Sequence, residues 1–247
     1  MDRHTLAWLH WSGIAGIAGS VGYMIGDVLL IGNSATPSEF PHLAMYLDNR
    51  LIQRGAVFLA SSTQRLAAGG LVGVFSTPLC LAGVWHVFVA SKPGGTRWSL
   101  PPFLLLVTAF SIAPFVHGSF FYLAEILKTV GHVEPSAQPA VVALATRTAL
   151  WLFIAYGVLA VPALIGFTWV TVAIARGKTL YPRWVAFANP FVCMLAGLLL
   201  DRALPQPLAR LLAGAGLSLG LLAFFTLSTA VLWSPPLSAP QRSSPGQ

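Results

Sequence analysis

The sequence predicts an all-α bundle of about six membrane-spanning helices with one further helix at the membrane surface. Three observations carry that reading. Of 247 residues, 56% are apolar and 9% are charged, against about 25% charged in an average soluble domain. Mean hydropathy is +0.75. The apolar residues fall in runs near the roughly 20 residues that a helix needs to cross hydrocarbon, and no strand alternation or heptad seam competes with them. The 14 Lys+Arg and 7 Asp+Glu are too few to coat a globule in water. The apolar content also excludes intrinsic disorder. A secreted disulfide scaffold is excluded because the two cysteines, Cys80 and Cys193, each lie inside an apolar run.

The runs are 8–32, 66–90, 100–127, 144–175, 184–200 and 208–233. Turn chemistry separates them: Ser91-Lys92-Pro93-Gly94-Gly95, Glu134-Pro135, Arg176-Gly177-Lys178 and Pro205-Gln206-Pro207. The first run has a weakly charged leader, a long apolar stretch and no small-residue cleavage site, so it is expected to remain as a span. Residues 33–64 form the longest connection. Leu43, Tyr46, Leu47, Leu51 and Val57-Phe58 recur near helical spacing, while Asp48, Arg50 and Arg54 mark another face, which predicts the interfacial helix. Residues 1–233 thus form a single transmembrane domain, and the Pro- and Ser-rich stretch 234–247 reads as a disordered tail.

Small residues recur in three spans: Gly13, Gly16, Gly19, Gly22 and Gly26; Gly69, Gly70 and Gly73; Gly214, Gly216 and Gly220. In lipid such residues let helices approach closely. Packing within the bundle is the expected use, and homodimerisation is the alternative. Trp8, Trp11, Trp98, Trp184 and Trp233 read as interfacial belt residues.

The net charge of +7 with a pI near 10.0 does not indicate nucleic acid. The cations are scattered between apolar runs, and no basic stripe with interleaved aromatics appears. Six spans put both termini on one side, with Arg3, Lys92, Arg97, Arg176, Lys178, Arg183 and Arg242. The other side has Arg50, Arg54, Arg65, Lys128, Arg147, Arg202 and Arg210. Arg65 and Arg147 stand at span starts and do not count as loop charge. Discounting them tips the termini towards the cytoplasm.

Ionisable side chains inside a bilayer are costly and tend to face a bundle interior or cavity. Up-and-down topology brings Asp27, Arg65, Glu125 and Arg147 to comparable depth at one membrane face. His86 is the chief ionisable residue of the far half. His117, Phe121 and Glu125 follow at i, i+4 and i+8, and Tyr23 and Asp27, like Arg147 and Trp151, are i, i+4 pairs. The expected site is one cavity lined by Tyr23, Asp27, Arg65, His117, Phe121, Glu125, Arg147 and Trp151. Snorkelling of the arginines and structural Asp–Arg pairing are the competing readings. Asn189 is expected to satisfy carbonyls freed by Pro190.

No metal-ligand spacing, nucleotide loop or nucleophile elbow appears in the chain. The reading therefore calls for no cofactor. His86 and His117 fall at different depths, which argues against bis-histidine haem. The expected chemistry is acid–base and metal-independent: cyclisation, isomerisation or hydration of a lipophilic, terpenoid-like substrate. A carboxylic acid in a dry site keeps its proton more readily. Asp27 or Glu125 would be the acid, His117 a relay, and Arg65 or Arg147 the holder of an anionic head. Tyr23, Phe121 and Trp151 would supply the remaining wall. An ion- or proton-coupled transport or binding protein, and a structural membrane subunit, are the alternatives.

At Gly26-Asp27-Val28-Leu29-Leu30 and Arg65-Leu66-Ala67-Ala68-Gly69-Gly70 the chain resembles an uncharacterised family of bacterial multi-pass membrane proteins. That resemblance implies a bacterial inner-membrane location and no activity. The size of the chain and its acids at one membrane face are also similar to small membrane terpene cyclases, a likeness at the level of fold.

Overall fold

A computed structural model describes residues 3–32, 39–46, 48–49, 53, 55–201, 205 and 214–233. Within them the chain is helical throughout: α1 (Arg3–Ile31), α2 (Thr63–Ser91), α3 (Thr96–Thr129), α4 (Gln138–Ala175), α5 (Pro190–Asp201) and α6 (Gly216–Trp233). Five of these, all but α5, are long and apolar enough to cross a membrane.

Local chemistry sets the helix ends. Ser62 stands in extended backbone before α2, and its hydroxyl accepts from the Arg65 amide, as an N-cap should. At the end of α4 the amide of Lys178 bonds the Ala173 carbonyl, and that of Gly177 bonds Ile174. This is a Schellman closure, and it puts Gly177 at φ +64°, where a side chain would be strained.

The run expected over 184–200 is divided into two short pieces, not one continuous helix: a 3-10 helix, Arg183–Ala188, and the 12-residue α5. Asn189-Pro190 divides them. Asn189 takes on the amides of Phe191 and Val192 through Oδ1, while its Nδ2 donates to Thr171 Oγ1 at 2.7 Å. The side chain therefore caps free N–H groups at a helix start, not the carbonyls expected from the sequence. The chain still passes from one end of the bundle to the other here. The Leu180 amide bonds the Ala90 carbonyl at the end of α2, whereas Gly214 lies against Ile31 at the end of α1. His10 stacks on Trp233 at 4.3 Å, so the start of α1 and the end of α6 share one end of the bundle.

Of the connection 33–64, Leu47, Arg50, Leu51 and Arg54 lie outside the described residues. Among the described residues of that connection stand two 3-10 turns, Pro41–Tyr46 and Ala56–Phe58, and between them Gln53 and Gly55 are α-helical, with the Gln53 amide bonded to the Asn49 carbonyl. Leu43 and Phe58 are buried with Leu30, Leu66, Leu127 and Val130. The apolar side of this segment thus joins the protein's own core. The tail 234–247 lies outside the described residues.

A glycine seam joins α1 and α2 in antiparallel fashion. A Cβ at Gly83 would come within 2.7 Å of Gly16 Cα, one at Gly19 would meet the backbone of Cys80, and one at Gly26 would meet Gly69 and Gly73. Gly214, Gly216 and Gly220 face Ile31, Met194 and Pro190 in the same chain. These glycines are used for packing inside the bundle, where absent side chains let the backbones close up.

The apolar core falls into two clusters. One, around Cys80, Val84, Phe110, Phe167, Phe224 and Phe225, fills the half nearer the termini. The other, around Leu30, Leu66, Val116, Leu123 and Leu152, fills the opposite half.

Candidate functional site

A cavity of about 240 Å³ lies where the two core clusters meet. Its polar members come from four helices, Tyr156 of α4 being one of them. Tyr23 and Asp27, one turn apart on α1, face it together, as do His117 of α3 and Ser218 near the start of α6. Ser218 Oγ donates to Asp27 Oδ2 at 2.5 Å. The Tyr23 hydroxyl shares a 2.8 Å hydrogen bond with Thr77 Oγ1, and its ring stacks with His117 at 4.9 Å and with Phe110 at 6.2 Å. Aromatic walls complete the enclosure: Phe120, Phe153, Phe167 and Phe191, with Tyr156.

His117 is held by contact, not by polar partners. Gly73 has no room for a Cβ against the imidazole, and Nδ1 is buried without a hydrogen-bond partner. A buried unpartnered ring nitrogen is costly to keep, which makes it a group to be explained by function or by a bound molecule.

The four ionisable residues expected at one depth do lie at one end of the bundle, but they do not form one cluster. Arg65 turns back on α1. Its Nε donates to the Leu29 carbonyl at 3.0 Å, and one terminal nitrogen reaches those of Val28 and Gly32 at 2.9 and 3.2 Å. It closes a helix C-terminus, where cations are favoured. Glu125 does not line the cavity; it accepts from Thr63 at 3.0 Å and pairs with Lys128 at 3.3 Å on the bundle's exterior. Arg147 is exposed. Trp151, one turn on, is 66% exposed, and Phe121 packs beside Tyr122 and Gly70 away from the cavity. The expectation of a shared Asp27–Glu125 cavity is corrected on this point. Equal depth does not fix azimuth, and each helix turns its charged residue in a different direction.

Sequence reasoning missed Ser218 and Tyr156. Ser218 stands in the run Gly216-Leu217-Ser218-Leu219-Gly220, where a hydroxyl between leucines gives no periodic signal. At the far end, His86 is fully buried and its Nδ1 bonds the Leu9 carbonyl at 2.9 Å. It joins α1 to α2 there. Burial pushes the neighbouring Tyr181 hydroxyl above the ordinary phenol range, so that group stays neutral.

Chemically, the cavity offers one carboxyl group with a hydroxyl donor, one imidazole and two phenols within an aromatic shell. Aromatic faces stabilise cationic charge, and the carboxyl and imidazole are acid–base groups. The volume is below the roughly 300–1,000 Å³ of typical small-molecule pockets, so the space suits a small lipophilic molecule or the end of a longer one.

Comparison of the chain with curated proteins and with solved structures gives no match. A sequence model of one family matches residues 9–234, which take in every one of the six helices except the first residues of α1. The chain belongs to DUF6796, a family of unknown function.

Proposed function

We propose that the protein is a membrane-embedded enzyme that rearranges a small lipophilic substrate by acid–base chemistry at Asp27. The carrying observation is a single carboxyl group, hydrogen-bonded to Ser218, inside a cavity walled mainly by aromatic and aliphatic side chains, with His117 among them. In this reading Asp27 gives a proton to an alkene or epoxide of the substrate. The resulting cation is stabilised by the faces of Phe110, Phe153 and Phe167. Loss of a proton from a neighbouring carbon to the Asp27 carboxylate, directly or by way of His117, then forms the product double bond and restores the acid. The cycle is redox-neutral and consumes no co-reactant.

Enzymatic use is favoured over transport because the cavity is blocked beyond Phe110 and Phe167. Phe224, Phe225, Tyr181 and Val84 fill the rest of that half, and an alternating path would need an opening there. A purely structural role for Asp27 in an ion pair is disfavoured, since its partner is a serine.

The proposed location is the bacterial inner membrane with the termini in the cytoplasm. Lys92, Arg97, Arg176, Lys178 and Arg183, at the end that holds the start of α1 and the end of α6, are exposed, and no described acid shares that end. At the other end, among the described residues, Lys128 is paired, Arg65 is spent on backbone carbonyls and Arg147 is exposed. The exposed cations at the first end support placing it in the cytoplasm.

The experiment is conversion of a bacterial lipid extract by the full chain in liposomes, followed by untargeted mass spectrometry. Wild type is expected to yield a product isomeric with a consumed lipid, and Asp27→Asn none. Equal conversion by both would overturn the proposal.

A further inference from the structure

A second, larger groove runs along the outward faces of α3 and α4, apart from the Asp27 cavity, with a volume of about 560 Å³. Leu164, Ile165, Trp169 and Val172 of α4 form its apolar wall, and Arg97 and Trp98 of α3 close one end. Trp98 is the belt tryptophan that does not face outward: it is only 8% exposed, whereas Trp8, Trp11, Trp184 and Trp233 are all at least half exposed. Two cations stand beside the Trp98 ring. The guanidinium of Arg97 stands 5.2 Å from the Trp98 ring centre, and that of Arg176 stands 5.5 Å from the same centre.

Two cations beside one indole make this end of the groove positive, which an anion would offset. No described carboxylate does so. The one salt bridge among the described residues, Lys128–Glu125, is at the other end of the bundle. Guanidinium groups suit phosphate because their planar forks donate in pairs. A site with a cationic, tryptophan-framed end and an apolar channel leading away from it matches an amphiphile that carries a phosphate.

We propose that this groove binds one anionic glycerophospholipid, its phosphate held between Arg97 and Arg176 and an acyl chain laid along Leu164, Ile165, Trp169 and Val172. The site is distinct from the Asp27 cavity. It rests on membrane embedding and not on the chemistry proposed at Asp27, so the two fail separately.

The test is native mass spectrometry of the full chain in detergent, titrated with phosphatidylglycerol and with phosphatidylcholine of the same acyl composition. Wild type is expected to retain one phosphatidylglycerol, about tenfold more tightly than phosphatidylcholine, because the choline ammonium cancels the charge of the phosphate and is repelled by the two guanidiniums. The double variant Arg97→Gln, Arg176→Gln is expected to lose that preference. The double variant Lys92→Gln, Lys178→Gln removes equal charge from the same end and is expected to keep it. Ile165→Trp fills the groove while leaving both arginines, and is expected to weaken binding of both lipids. Glycerol phosphate, which has the headgroup chemistry without a chain, is expected to bind at least about tenfold more weakly than phosphatidylglycerol. Melting temperatures of all variants separate lost binding from lost folding, and Ile165→Trp and glycerol phosphate decide the matter if the arginine variant unfolds. Equal retention of the two lipids by wild type, an unchanged preference without the arginines, or binding indifferent to Ile165→Trp overturns the proposal.

Discussion

Asp27 and Ser218, 191 residues apart in sequence, meet at 2.5 Å across the interface of α1 and α6. This hydrogen bond fixes the carboxyl group at the side of the cavity nearest Ile31 and Gly214, and it involves no cation. Asp27→Asn keeps the size of the side chain and an oxygen that accepts from Ser218. Thermal stability in detergent is therefore expected to fall by no more than about 1.5 kcal/mol, the net worth of one hydrogen bond, while product formation disappears. Removing one partner of a buried ion pair would cost about 3–5 kcal/mol. A loss of that size with turnover retained would show that Asp27 is a structural group.

Arg65 has a different part, and a different expected outcome. It donates to three carbonyls at the end of α1, groups that a helix leaves unpaired. Arg65→Ala is expected to cost about 1.5–3 kcal/mol, the range for hydrogen bonds to charged groups. The Gly32 amide, bonded to Val28 at 3.0 Å, should exchange faster with deuterium. Arg65→Lys keeps the charge but not the fork, and should fall between the two. Slower or unchanged exchange at Gly32 in Arg65→Ala would remove the assignment.

These two residues also show what the sequence disclosed. Apolar run length revealed the five long helices, because crossing hydrocarbon demands nearly uninterrupted apolar sequence. It also placed a passage across the bundle at 184–200, but not the Asn189-Pro190 break that divides it into two pieces. Helical spacing placed Tyr23 and Asp27 on one face, and both line the cavity with His117. Spacing within one helix says nothing about which neighbour that face meets. Glu125, Arg147 and Trp151 share the depth of Asp27 but turn elsewhere, and helices apolar on every side carry little pattern to show it. Ser218 was hidden for the same reason.

The glycine seam gives a prediction that contrasts two kinds of glycine. A Cβ at Gly83 would meet the Cα of Gly16 at 2.7 Å, and neither backbone can move cheaply. Gly83→Ala is expected to destabilise by about 1–3 kcal/mol through overpacking. Gly118 and Gly157 have nothing within 4 Å of a built Cβ. Alanine there should gain up to about 1 kcal/mol from helix propensity. Melting curves of the three variants check this, and a neutral Gly83→Ala would contradict the close approach of α1 and α2.

Glu125 pairs with Lys128 at 3.3 Å where water and salt reach it. Exposed pairs contribute about 0.2–1 kcal/mol and are screened by salt. Glu125→Gln is expected to change the melting temperature little, less still in concentrated salt, and to leave product formation intact. Loss of turnover in this variant would mean that the carboxyl group reaches substrate in a state of the protein other than the one described.

Filling the cavity separates its space from its acid. Ala113 is 4% exposed and lines the cavity on the α3 side, one turn from His117. In a close-packed core, enlarging such a residue costs about 1–3 kcal/mol. Here the added ring of Ala113→Phe can enter open space, so the melting temperature should hold or rise. Product formation should nonetheless disappear, because the substrate and the new ring compete for one volume. Dry apolar cavities also take up xenon, which offers a readout independent of turnover: wild type and Asp27→Asn should bind it, and Ala113→Phe should not. Asp27→Asn then keeps the space and loses the chemistry, whereas Ala113→Phe loses both. If Ala113→Phe excludes xenon and still turns over substrate, the reaction takes place outside this cavity and Asp27 is not its acid.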